Sequence, residues 1–547
     1  MYTELKSYQI IISLLKQYGV RHLVLSPGAR NVPFVHSVEE DDYFTCYSVV
    51  DERSAGYFAL GLAQELGEPV LISCTSSTAA CNYWPPVAEA FYQNVPIIVL
   101  TSDRDPQMLG NREDQMIDQV GMYDRHVRKS VNLPIVKDED DFLYCSRLVN
   151  EALLELNHRG SGPVHINVPM KYYSTSFPCR DLPEVRKIDR ICLSDDETVW
   201  NEKIDGLLRA RRILVVCGQM SSPSQALCET LREFAKITGC AIAVEHMSNL
   251  SIEGSFNSSV CFDTHYVSDK KFEELLPEIV ISFGGNVMSG VKAMLRRYRG
   301  QFDHWLIQED GGVCDLFKSI KNIFECSPEY FFSRVANRGG MIDGDTGYRE
   351  QILRYSSSVE IPAFPWSNVY AVRSLLSRMR LGSLIHASIN SAIRISNFFD
   401  LAQDARFYAN IGTYGIDGCL SSFLGQAAAS PERACYLVIG DLSFFYDMNA
   451  LRIRHYGSNV HIMLLNNHGG EEFYYNGMWQ NDKSDLHTTA RHADTARAWV
   501  ESRGFKYLAA SSVEEFDSQI DEFCGESSAP VFFEVFTEMS SDSQAVF

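Results

Sequence analysis

The stretch MLLNNHGG (Met463–Gly470) ends an apolar run abruptly in two asparagines, a histidine and two glycines. The run reads as a buried β-strand that stops on Asn466 and Asn467, with flexible backbone directly afterwards. A turn would explain this pattern, because Asn and Gly tolerate unusual backbone dihedrals. A metal site would also explain it, because an amide oxygen is a neutral, hard ligand. The stretch alone leaves both interpretations open.

A second stretch, YLVIGDLSFFYDMNAL (436–451), ends its apolar strand on Gly440 and Asp441, 26 residues before Asn467. Parallel neighbouring strands joined by one helix place their carboxyl ends at one edge of a sheet, where α/β proteins bind ligands. One carboxylate and one amide oxygen are half of a Mg²⁺ site, since phosphate oxygens and water complete the shell. Gly469 and Gly470 would let backbone N–H groups approach a phosphate. Together the two strand ends favour a metal site over two unrelated turns.

Strands alternate with helical patterns along the whole chain. The predicted strands are the apolar runs HLVLS, FTCYSVV, PVLISCT, VPIIVLTS, RILVVCG, AIAVEH, EIVISFGG, HWLIQED, SLIHASI, ARFYANIG, ACYLVIGD, NVHIMLLNN and VFFEVFT. Helical patterns such as ERSAGYFALGLAQELG separate them. This alternation predicts βαβ units and mostly parallel sheets. Residues 175–190 and the stretch around 340–365 are interpreted as connections. The predicted fold class is α/β, with three Rossmann-like domains at 1–180, 190–345 and 360–547.

Length and charge narrow the protein class. The chain has 547 residues, which exceeds one ordinary core and suggests three domains. Its net charge of −21 argues against a nucleic-acid partner, which would need a basic face. The fifteen cysteines are scattered, mostly in apolar runs, as in proteins of a reducing compartment. No stretch reads as a signal peptide or a membrane span, so we expect a cytoplasmic protein.

The stretch VDERSAGYFALGLA (50–63) carries Asp51 and Glu52 where a strand gives way to a helix. Acids in the first turn of a helix are common, because they complement its dipole. Taken by itself, Glu52 is therefore interpreted as structural.

The pattern GD…NN with this spacing resembles the Mg²⁺-diphosphate motif of thiamine diphosphate (ThDP) enzymes, whose other signature is one glutamate in an earlier α/β domain. The match is closer to one family, the synthases that join 2-oxoglutarate to isochorismate in menaquinone biosynthesis (SEPHCHC synthases). The stretches that carry this resemblance are SPGARNVP, VDERSAGYFALGLA, CTSSTAACNYWPPVAEA, VPIIVLTSDRDP, DQMIDQVG, GIDGCLSS and GDLSFFYDMNAL. They lie in the first and third predicted domains.

The resemblance implies ThDP and Mg²⁺ as cofactors, with Mn²⁺ as an alternative ion. It implies that Asp441, Asn467 and the carbonyl of Gly469 bind the metal, and that Glu52 is catalytic through its hydrogen bond to the pyrimidine ring. Ile416 would support the bent cofactor, while Ser443 and the amides around Gly470 would contact phosphate. The full implied cofactor set is Ile416, Gly440, Asp441, Leu442, Ser443, Asn467, Gly469 and Gly470. On this interpretation Asn467 ends its strand in order to reach a metal.

The implied chemistry is decarboxylation of a 2-oxo acid and transfer of the remaining acyl unit to an acceptor, both of them small molecules. In the family, the first domain of one subunit and the third domain of its partner form the site. A homodimer or homotetramer is therefore expected.

The substrate residues depart from the family pattern. The implied substrate set is Ala29, Arg30, Arg104, Asp114, Gln115, Arg394 and Ile411. Ala29 replaces a serine, Ile411 an arginine and Asp114 an asparagine. Tyr414 replaces a small residue, and a family lysine aligns with Val291, beside Lys292.

The losses are large enough to matter. One charge-assisted hydrogen bond to a carboxylate contributes roughly 1.5–3 kcal/mol, so two lost cations cost roughly 3–6 kcal/mol, or about two to four decades of affinity. Asp114 would also repel an anionic acceptor. The sequence therefore predicts a ThDP carboligase whose donor or acceptor is less anionic than the family's.

Several alternatives remain open at this point. The first is a true SEPHCHC synthase in which Arg112, Lys292 or His468 compensates. Others are a simple 2-oxo acid decarboxylase and a non-catalytic ThDP-binding partner protein. A NAD-dependent oxidoreductase is weaker, because GTYGIDG (412–418) matches no complete dinucleotide fingerprint. His468 and Glu471–Glu472 read equally well as substrate-facing acid–base groups and as a solvated loop.

Overall fold

The computed structural model covers residues 1–547, and the structure described here is that of all residues except 51, 54, 57–58, 60–62, 64–65, 67, 93–94, 159–160, 193–196, 221–222, 263–266, 339–346, 412–413, 417, 453–455, 476–486 and 547. The chain divides into two compact units. Unit 1 is Met1–Cys192 with Gly311–Glu325, and unit 2 is Leu193–Asp310 with Cys326–Phe547. The three predicted domain ranges stay predictions.

The strands are short, and most of them are apolar. They are β1 (His22–Leu25), β2 (Thr45–Ser48), β3 (Val70–Cys74), β4 (Ile97–Asp103), β5 (Lys129–Asn132), β6 (Val164–Pro169), β7 (Asp189–Cys192), β8 (Ile213–Cys217), β9 (Ala241–Val244), β10 (Ser255–Asn257), β11 (Ile279–Phe283), β12 (Asp303–Ile307), β13 (Ile320–Glu325), β14 (Leu384–Ala387), β15 (Arg406–Tyr408), β16 (Cys435–Gly440), β17 (Val460–Asn466), β18 (Lys506–Ala510) and β19 (Val531–Phe536).

Helices lie between most of these strands. Among the described residues the α-helices include Lys6–Gln17, Val32–Glu39, Thr78–Asn82, Trp84–Tyr92, Glu139–Leu154, Glu197–Arg209, Gln225–Thr238, Ser258–Cys261, Asp269–Glu274, Ser289–Arg297, Pro328–Asn337, Gly347–Ser358, Asn368–Arg378, Ser391–Ser396, Cys419–Ala429, Asp441–Asp447, Glu472–Tyr475, Arg497–Ser502, Val513–Asp517, Ile520–Cys524 and Met539–Val546. Short 3₁₀ turns span Ala29–Asn31, Pro106–Met108, His246–Ser248 and Met448–Arg452.

The sheets are parallel and confirm the α/β class. Unit 1 holds a sheet of order β2-β1-β3-β4-β6-β5, and in this unit β7 pairs in parallel with β13. Unit 2 holds strands in the order β10-β9-β8-β11-β12 and a further sheet of order β15-β14-β16-β17-β19-β18. The first and last of these sheets therefore share one strand order. In both sheets the strand that comes first along the chain, β1 or β14, lies between the second and the third, so the order of the strands reverses there.

The last sheet is buried on both faces, as parallel sheets usually are. Every residue of β17 is buried, and so are the first five of β16. Successive residues point to opposite faces, so Leu437 and Ile439 join one apolar cluster while Tyr436 and Val438 join the other. This burial fixes where β16 and β17 end, and their ends carry the residues of interest.

Some predictions about the elements are wrong or incomplete. The stretch around 340–365 was interpreted as a connection, but Gly347–Ser358 is a helix. The single helical pattern after β3 is two helices that meet at Tyr83, because Pro85 and Pro86 can start a helix but cannot sit within one. Six further strands are not predicted from the sequence: β5, β6, β7, β10, β13 and β18.

Cysteine usage and hydropathy give two further results. No disulfide joins any two of the fourteen cysteines whose side chains the structure describes. In the described parts of the chain, no helix is both long enough and apolar enough to cross a bilayer.

Candidate cofactor and metal site

Three strand ends of the last sheet converge at one edge. β16 pairs in parallel with both β14 and β17, and Gly440 lies opposite Leu465. Asp441 and Asn467 therefore leave the sheet side by side. The strand order reverses between β14 and its neighbours β15 and β16, and in open α/β sheets such a reversal opens a crevice for ligands.

A cavity of about 260 Å³ lies at this edge. The structure brings every predicted cofactor residue to its lining: Ile416, Gly440, Asp441, Leu442, Ser443, Asn467, Gly469 and Gly470. Residues 388–392, which follow β14, line it too. Residues far apart in sequence thus form one concave site, and all of it lies within unit 2.

Asp441 is the first residue of the helix Asp441–Asp447 and is only 3% exposed. Its Oδ1 accepts the N–H of Leu442 at 2.6 Å, and its Oδ2 accepts the N–H of Gly469 at 3.0 Å. His492 Nε2 lies 3.2 Å from Oδ2, and this contact raises the pKa of the imidazole. These contacts fix the carboxylate at the carboxyl end of β16.

Asn467 is held in one orientation. Its Nδ2 donates to Glu471 Oε2 and to Asp542 Oδ2, at 3.0 Å each. A carboxylate accepts and cannot donate, so the nitrogen of the amide must face these two groups. The amide oxygen consequently points the other way.

Asn466 has a different role. Its Nδ2 donates to Glu534 Oε1 at 2.7 Å and to the carbonyl of Asp494 at 3.0 Å. It is fully buried and does not line the cavity. Of the two asparagines that end β17, one anchors the strand and the other lines the site.

The glycines after β17 allow the chain to turn closely. Gly469 has φ +154°, and a Cβ there would lie 2.8 Å from the carbonyl oxygen of Thr489. The N–H of Gly470 donates to that same carbonyl at 2.7 Å, and the N–H of Gly469 is taken by Asp441. Both amides therefore have acceptors within the protein, and the contact of the amides around Gly470 with a phosphate stays a prediction.

Ser443 connects two of the predicted residues. Its hydroxyl donates to the carbonyl of Ile416 at 2.6 Å. This bond ties the loop that carries Ile416 to the helix Asp441–Asp447. The position of the Ile416 side chain at the cavity wall thus depends on the same helix that carries Asp441.

The donor set suits a hard divalent cation. The carboxylate of Asp441, the amide of Asn467 and the carbonyl of Gly469 are all oxygen ligands, which Mg²⁺ prefers. Among the described residues no group of three or more His, Cys, Asp or Glu could hold a metal, so phosphate oxygens and water would have to complete the shell. A Cβ on Gly440 would meet nothing within 4 Å, which leaves open space above the strand end. These residues fit a Mg²⁺-bound diphosphate.

The predicted substrate residues of unit 1 partly meet. Arg30 is 7% exposed, and its Nη1 donates to Gln115 Oε1 at 2.8 Å and to Ser76 Oγ at 3.2 Å. Arg104 pairs with Glu113 at 2.7 Å. Burial, and next the charge of Arg104, lower the pKa of Arg30, so the two guanidinium groups are near neighbours.

The remaining unit 1 candidates are less tightly placed. Ala29 opens the turn that carries Arg30, and Asp114 is exposed. Glu52 is partly buried in helical backbone. Its charge adds to burial in raising the pKa of Cys74, which places its carboxylate near the end of β3.

Of the substrate candidates in unit 2, Arg394 is the one whose helix reaches the cavity lining. Arg394 belongs to the helix Ser391–Ser396, whose first residues line it. Tyr414 has φ +60° and sits close enough to Arg394 for the cation to oppose the raised pKa of the phenol, whose main cause is burial. Ile411 is 5% exposed. Lys292 Nζ donates to the carbonyl of Val287 at 3.1 Å.

The solvated-loop interpretation of the residues after Asn467 is wrong for Glu471, and the interpretation as substrate-facing acid–base groups stays a prediction. Glu471 is 5% exposed and accepts from Asn467 and from Asn368 Nδ2, the latter at 2.7 Å. The ring of His468 stacks on Phe536 at 6.1 Å between centroids. Glu472 does line the cavity. Sequence reasoning missed Asn368 and Asp542, and no local signal marks them.

Two family models match this chain. Residues 5–122 match the thiamine pyrophosphate enzyme N-terminal TPP-binding domain, and residues 390–535 match the C-terminal TPP-binding domain. The first range contains Glu52, and the second contains all the predicted cofactor residues. ThDP binding is thus supported at both ends of the chain.

Relatives over the full length are more specific. The 2-succinyl-5-enolpyruvyl-6-hydroxy-3-cyclohexene-1-carboxylate (SEPHCHC) synthase of Bacteroides fragilis is 37% identical, covering 100% of this chain and 98% of its own length. The chain belongs to the SEPHCHC synthase family. The SEPHCHC synthase of Phocaeicola vulgatus is also 37% identical, over 99% and 97% of the two chains. That of Desulfotalea psychrophila is 31% identical, over 95% and 96%.

Family membership covers the middle of the chain as well as its ends. The resemblance seen in the sequence rested on the first and third blocks, whereas these SEPHCHC synthases align throughout. This ThDP enzyme family therefore accounts for the whole chain.

Proposed function

We propose that this protein is a SEPHCHC synthase, which decarboxylates 2-oxoglutarate and joins the remaining unit to isochorismate with ThDP and Mg²⁺. The observation that carries the proposal is the single cavity lined by every predicted cofactor residue, within the matched C-terminal TPP domain. The full-length relatives favour this reaction over the less anionic donor or acceptor that the substrate residues alone suggest.

The cofactor end of the site follows from the donor set. Asp441, Asn467 and the Gly469 carbonyl hold Mg²⁺, and Ser443 and Ile416 fix the wall beside it. ThDP, when bound, supplies the nucleophilic carbon and the electron sink for loss of CO₂. Asn467 contributes a neutral oxygen, so the protein brings a single negative charge, on Asp441, to direct metal binding.

Glu52 holds and moves the proton in this proposal. Its carboxylate hydrogen-bonds the pyrimidine ring of the cofactor and favours the tautomer that takes up a proton. A positioned acid or base of this kind contributes about 10²–10⁴-fold to the rate.

Arginines recognise the substrates, which together carry four carboxylates. Arg30 and Arg104 are neighbouring cations at partly enclosed positions, and Arg394 lies beside the cavity. Guanidinium groups suit carboxylates because they donate two parallel hydrogen bonds. Gln115 and Ser76 hold Arg30 in place for this contact.

The test of the proposed reaction compares donors. Purified protein with ThDP and Mg²⁺ is offered 2-oxoglutarate or pyruvate, with and without isochorismate, and CO₂ and the coupled product are measured. Release of CO₂ from 2-oxoglutarate with formation of SEPHCHC is the expected result. A preference for pyruvate, or CO₂ without coupling, would contradict the proposal.

Glu52→Gln supplies the matched variant. Turnover should fall by at least about 10²-fold, while ThDP affinity measured by titration calorimetry stays close to that of the wild type. Unchanged turnover would remove Glu52 from the mechanism.

One observation still favours the alternative hypothesis of a less anionic donor or acceptor. Ile411 is buried where the family has an arginine, so no cation stands there. Ile411→Arg separates the two readings. If the donor is neutral, 2-oxoglutarate turnover should rise in this variant; if it is already 2-oxoglutarate, the added cation should bring no gain.

An oligomer is part of the proposal. A homodimer or homotetramer is expected for this family, and sedimentation velocity of the purified protein tests it. A monomer that is fully active would contradict this part.

A further inference from the structure

Two buried carboxylates surround the amide nitrogen of Asn467. Glu471 and Asp542 each accept from Nδ2 at 3.0 Å, and the two acids are 5% and 0% exposed. Asp542 lies 75 residues from Asn467, on the helix Met539–Val546. The side-chain amide of Asn467 cannot flip, because its oxygen would then face two carboxylates and be repelled by them.

Asp542 is itself fixed by two further donors. Its Oδ1 accepts the backbone N–H of Asn368 at 2.8 Å, and its Oδ2 also accepts the hydroxyl of Thr537 at 2.6 Å. Its carboxylate thus joins the start of the helix Asn368–Arg378, the end of β19 and the end of β17. All of these groups donate, so both oxygens of the residue 542 side chain must be acceptors. A carboxylate meets this need, whereas an amide has only one oxygen.

We propose that Asp542, with Glu471, is a positioning residue that turns the Asn467 amide so that its oxygen faces the metal. This rests on the proposed Mg²⁺–ThDP site. Outer carboxylates that orient a ligand commonly change metal affinity by about 10–100-fold when they are removed. Neither acid needs to touch the metal for this effect.

Asp542→Asn tests the orientation directly. The backbone N–H of Asn368 cannot turn away, so the oxygen of the new amide stays with it and the new NH₂ group faces Asn467. Two NH₂ groups then oppose each other, and the Asn467 side chain has to turn its oxygen toward position 542. We expect the dissociation constant of Mn²⁺, measured by electron paramagnetic resonance with ThDP present, to rise about tenfold.

The same substitution should have the opposite effect when Asn467 is already changed. Asn467→Asp places a third carboxylate against Glu471 and Asp542, so we expect Mn²⁺ binding to weaken even though aspartate is a charged oxygen ligand. Adding Asp542→Asn to Asn467→Asp supplies an NH₂ donor to the new carboxylate. The double variant should bind Mn²⁺ about tenfold more tightly than Asn467→Asp alone.

This reversal of sign separates positioning from simpler explanations. If Asp542 acted only through its negative charge, Asp542→Asn would weaken Mn²⁺ binding in both backgrounds, and the proposal would be overturned. A merely structural role would lower the unfolding temperature of the metal-free protein without changing the Mn²⁺ dissociation constant, which also overturns it. Glu538→Gln is the control, since it removes a charge from an exposed position of the same segment.

The wild type separates this inference from the proposed function. If it binds no Mn²⁺ with ThDP, the cofactor assignment and the inference fail together. If it binds both but makes no SEPHCHC, the proposed reaction fails while the sign reversal still decides the role of Asp542.

Discussion

Gly469 occupies a place where a side chain does not fit. The Cβ of an alanine would lie 2.8 Å from the Thr489 carbonyl oxygen, at a φ of +154° that side chains rarely adopt. Gly469→Ala should lower the free energy of unfolding by about 1–3 kcal/mol, measured by urea denaturation. In Gly440→Ala the Cβ meets nothing within 4 Å, so the stability of this control should stay within about 0.5 kcal/mol of wild type. Equal losses in both variants would contradict the steric argument.

Glu245 gives unit 2 a pH dependence. It is 4% exposed and accepts the N–H of Met288 at 2.8 Å, and burial raises its pKa to about 7 from an ordinary 4.5. Between these two values the folded state holds a proton that the unfolded state releases. Stability should therefore fall as pH rises from 4.5 through 7, by on the order of 3 kcal/mol from this group.

Glu245→Gln removes that dependence, because glutamine stays neutral at every pH. Urea denaturation at pH 5, 6, 7 and 8 should show the variant gaining stability relative to wild type as pH rises. Glu253→Gln, at an exposed position, is the control and should follow the wild type. Parallel curves for Glu245→Gln and wild type would show that burial of this carboxyl has no such cost.

At the residue scale the sequence predicts the residues that line the cavity, but it does not predict the residues that hold them in place. Asp441 and Asn467 follow apolar runs that must become buried strands, so their convergence is readable from the chain. Asp542 lies in a polar stretch without a pattern, and only the packed fold brings it to Asn467. The use of the Gly470 amide inside the protein depends on Thr489 in the same way, because its N–H donates to the carbonyl of that distant residue.

The helix Asn368–Arg378 shows what a single cap contributes. Ser367 is fully buried, and its hydroxyl accepts the N–H of Tyr370 at 3.3 Å. Ser367→Ala should lower the free energy of unfolding by about 1 kcal/mol, measured by urea denaturation. Ser377→Ala on the exposed side of the same helix removes no cap and should cost nothing measurable. A larger loss at Ser377 would contradict the capping argument.

Elements are predictable where one periodicity dominates. β16 and β17 are continuous apolar runs, and both were predicted. β5 and β18 each begin with a lysine, and β10 and β15 have only three residues each. Of these four strands only β15, which lies in the run ARFYANIG, is predicted from the sequence. The connection around 340–365 reads as polar, yet Gly347–Ser358 buries Tyr348 and Ile352 and becomes a helix. Short or polar elements of this kind are determined by tertiary packing and have little signal in the sequence.

The repeated strand order also escapes the sequence. The sheets β2-β1-β3-β4-β6-β5 and β15-β14-β16-β17-β19-β18 are wound alike, but no stretch of the first 180 residues repeats visibly in the last 190. Topology is conserved by connection geometry, whereas side chains need only remain apolar at buried positions.

For the whole molecule, the cofactor should act as a ligand of the folded state. At about a hundred times the dissociation constant a ligand stabilises by about 2.7 kcal/mol. ThDP with Mg²⁺ should therefore raise the unfolding temperature in a calorimeter. Excess EDTA should abolish most of the increase, because in the proposed function Asp441 and Asn467 would reach the diphosphate only through the metal. An equal increase from ThDP in EDTA would contradict a metal-bridged site.

At the scale of the whole chain, the comparison with relatives favours one of the two reactions that single residues leave open. Ala29, Asp114 and Ile411 argue for an altered substrate, whereas identity of 37% over the entire chain argues for the family reaction. Individual contacts change easily at a pocket, so a few substitutions weigh less than agreement across all the elements that build it.

The hydrogen bonds that orient Asn467 join residues 75 positions apart, and Asp542 reaches 174 positions back to Asn368. Contacts between residues so far apart in sequence form late in folding, because the entropy cost of closing a long loop comes before the contact can stabilise the chain. The metal site is then absent from the transition state for folding. Mg²⁺ and ThDP should leave the refolding rate unchanged and slow unfolding instead, so the loaded enzyme gains its persistence by staying folded longer.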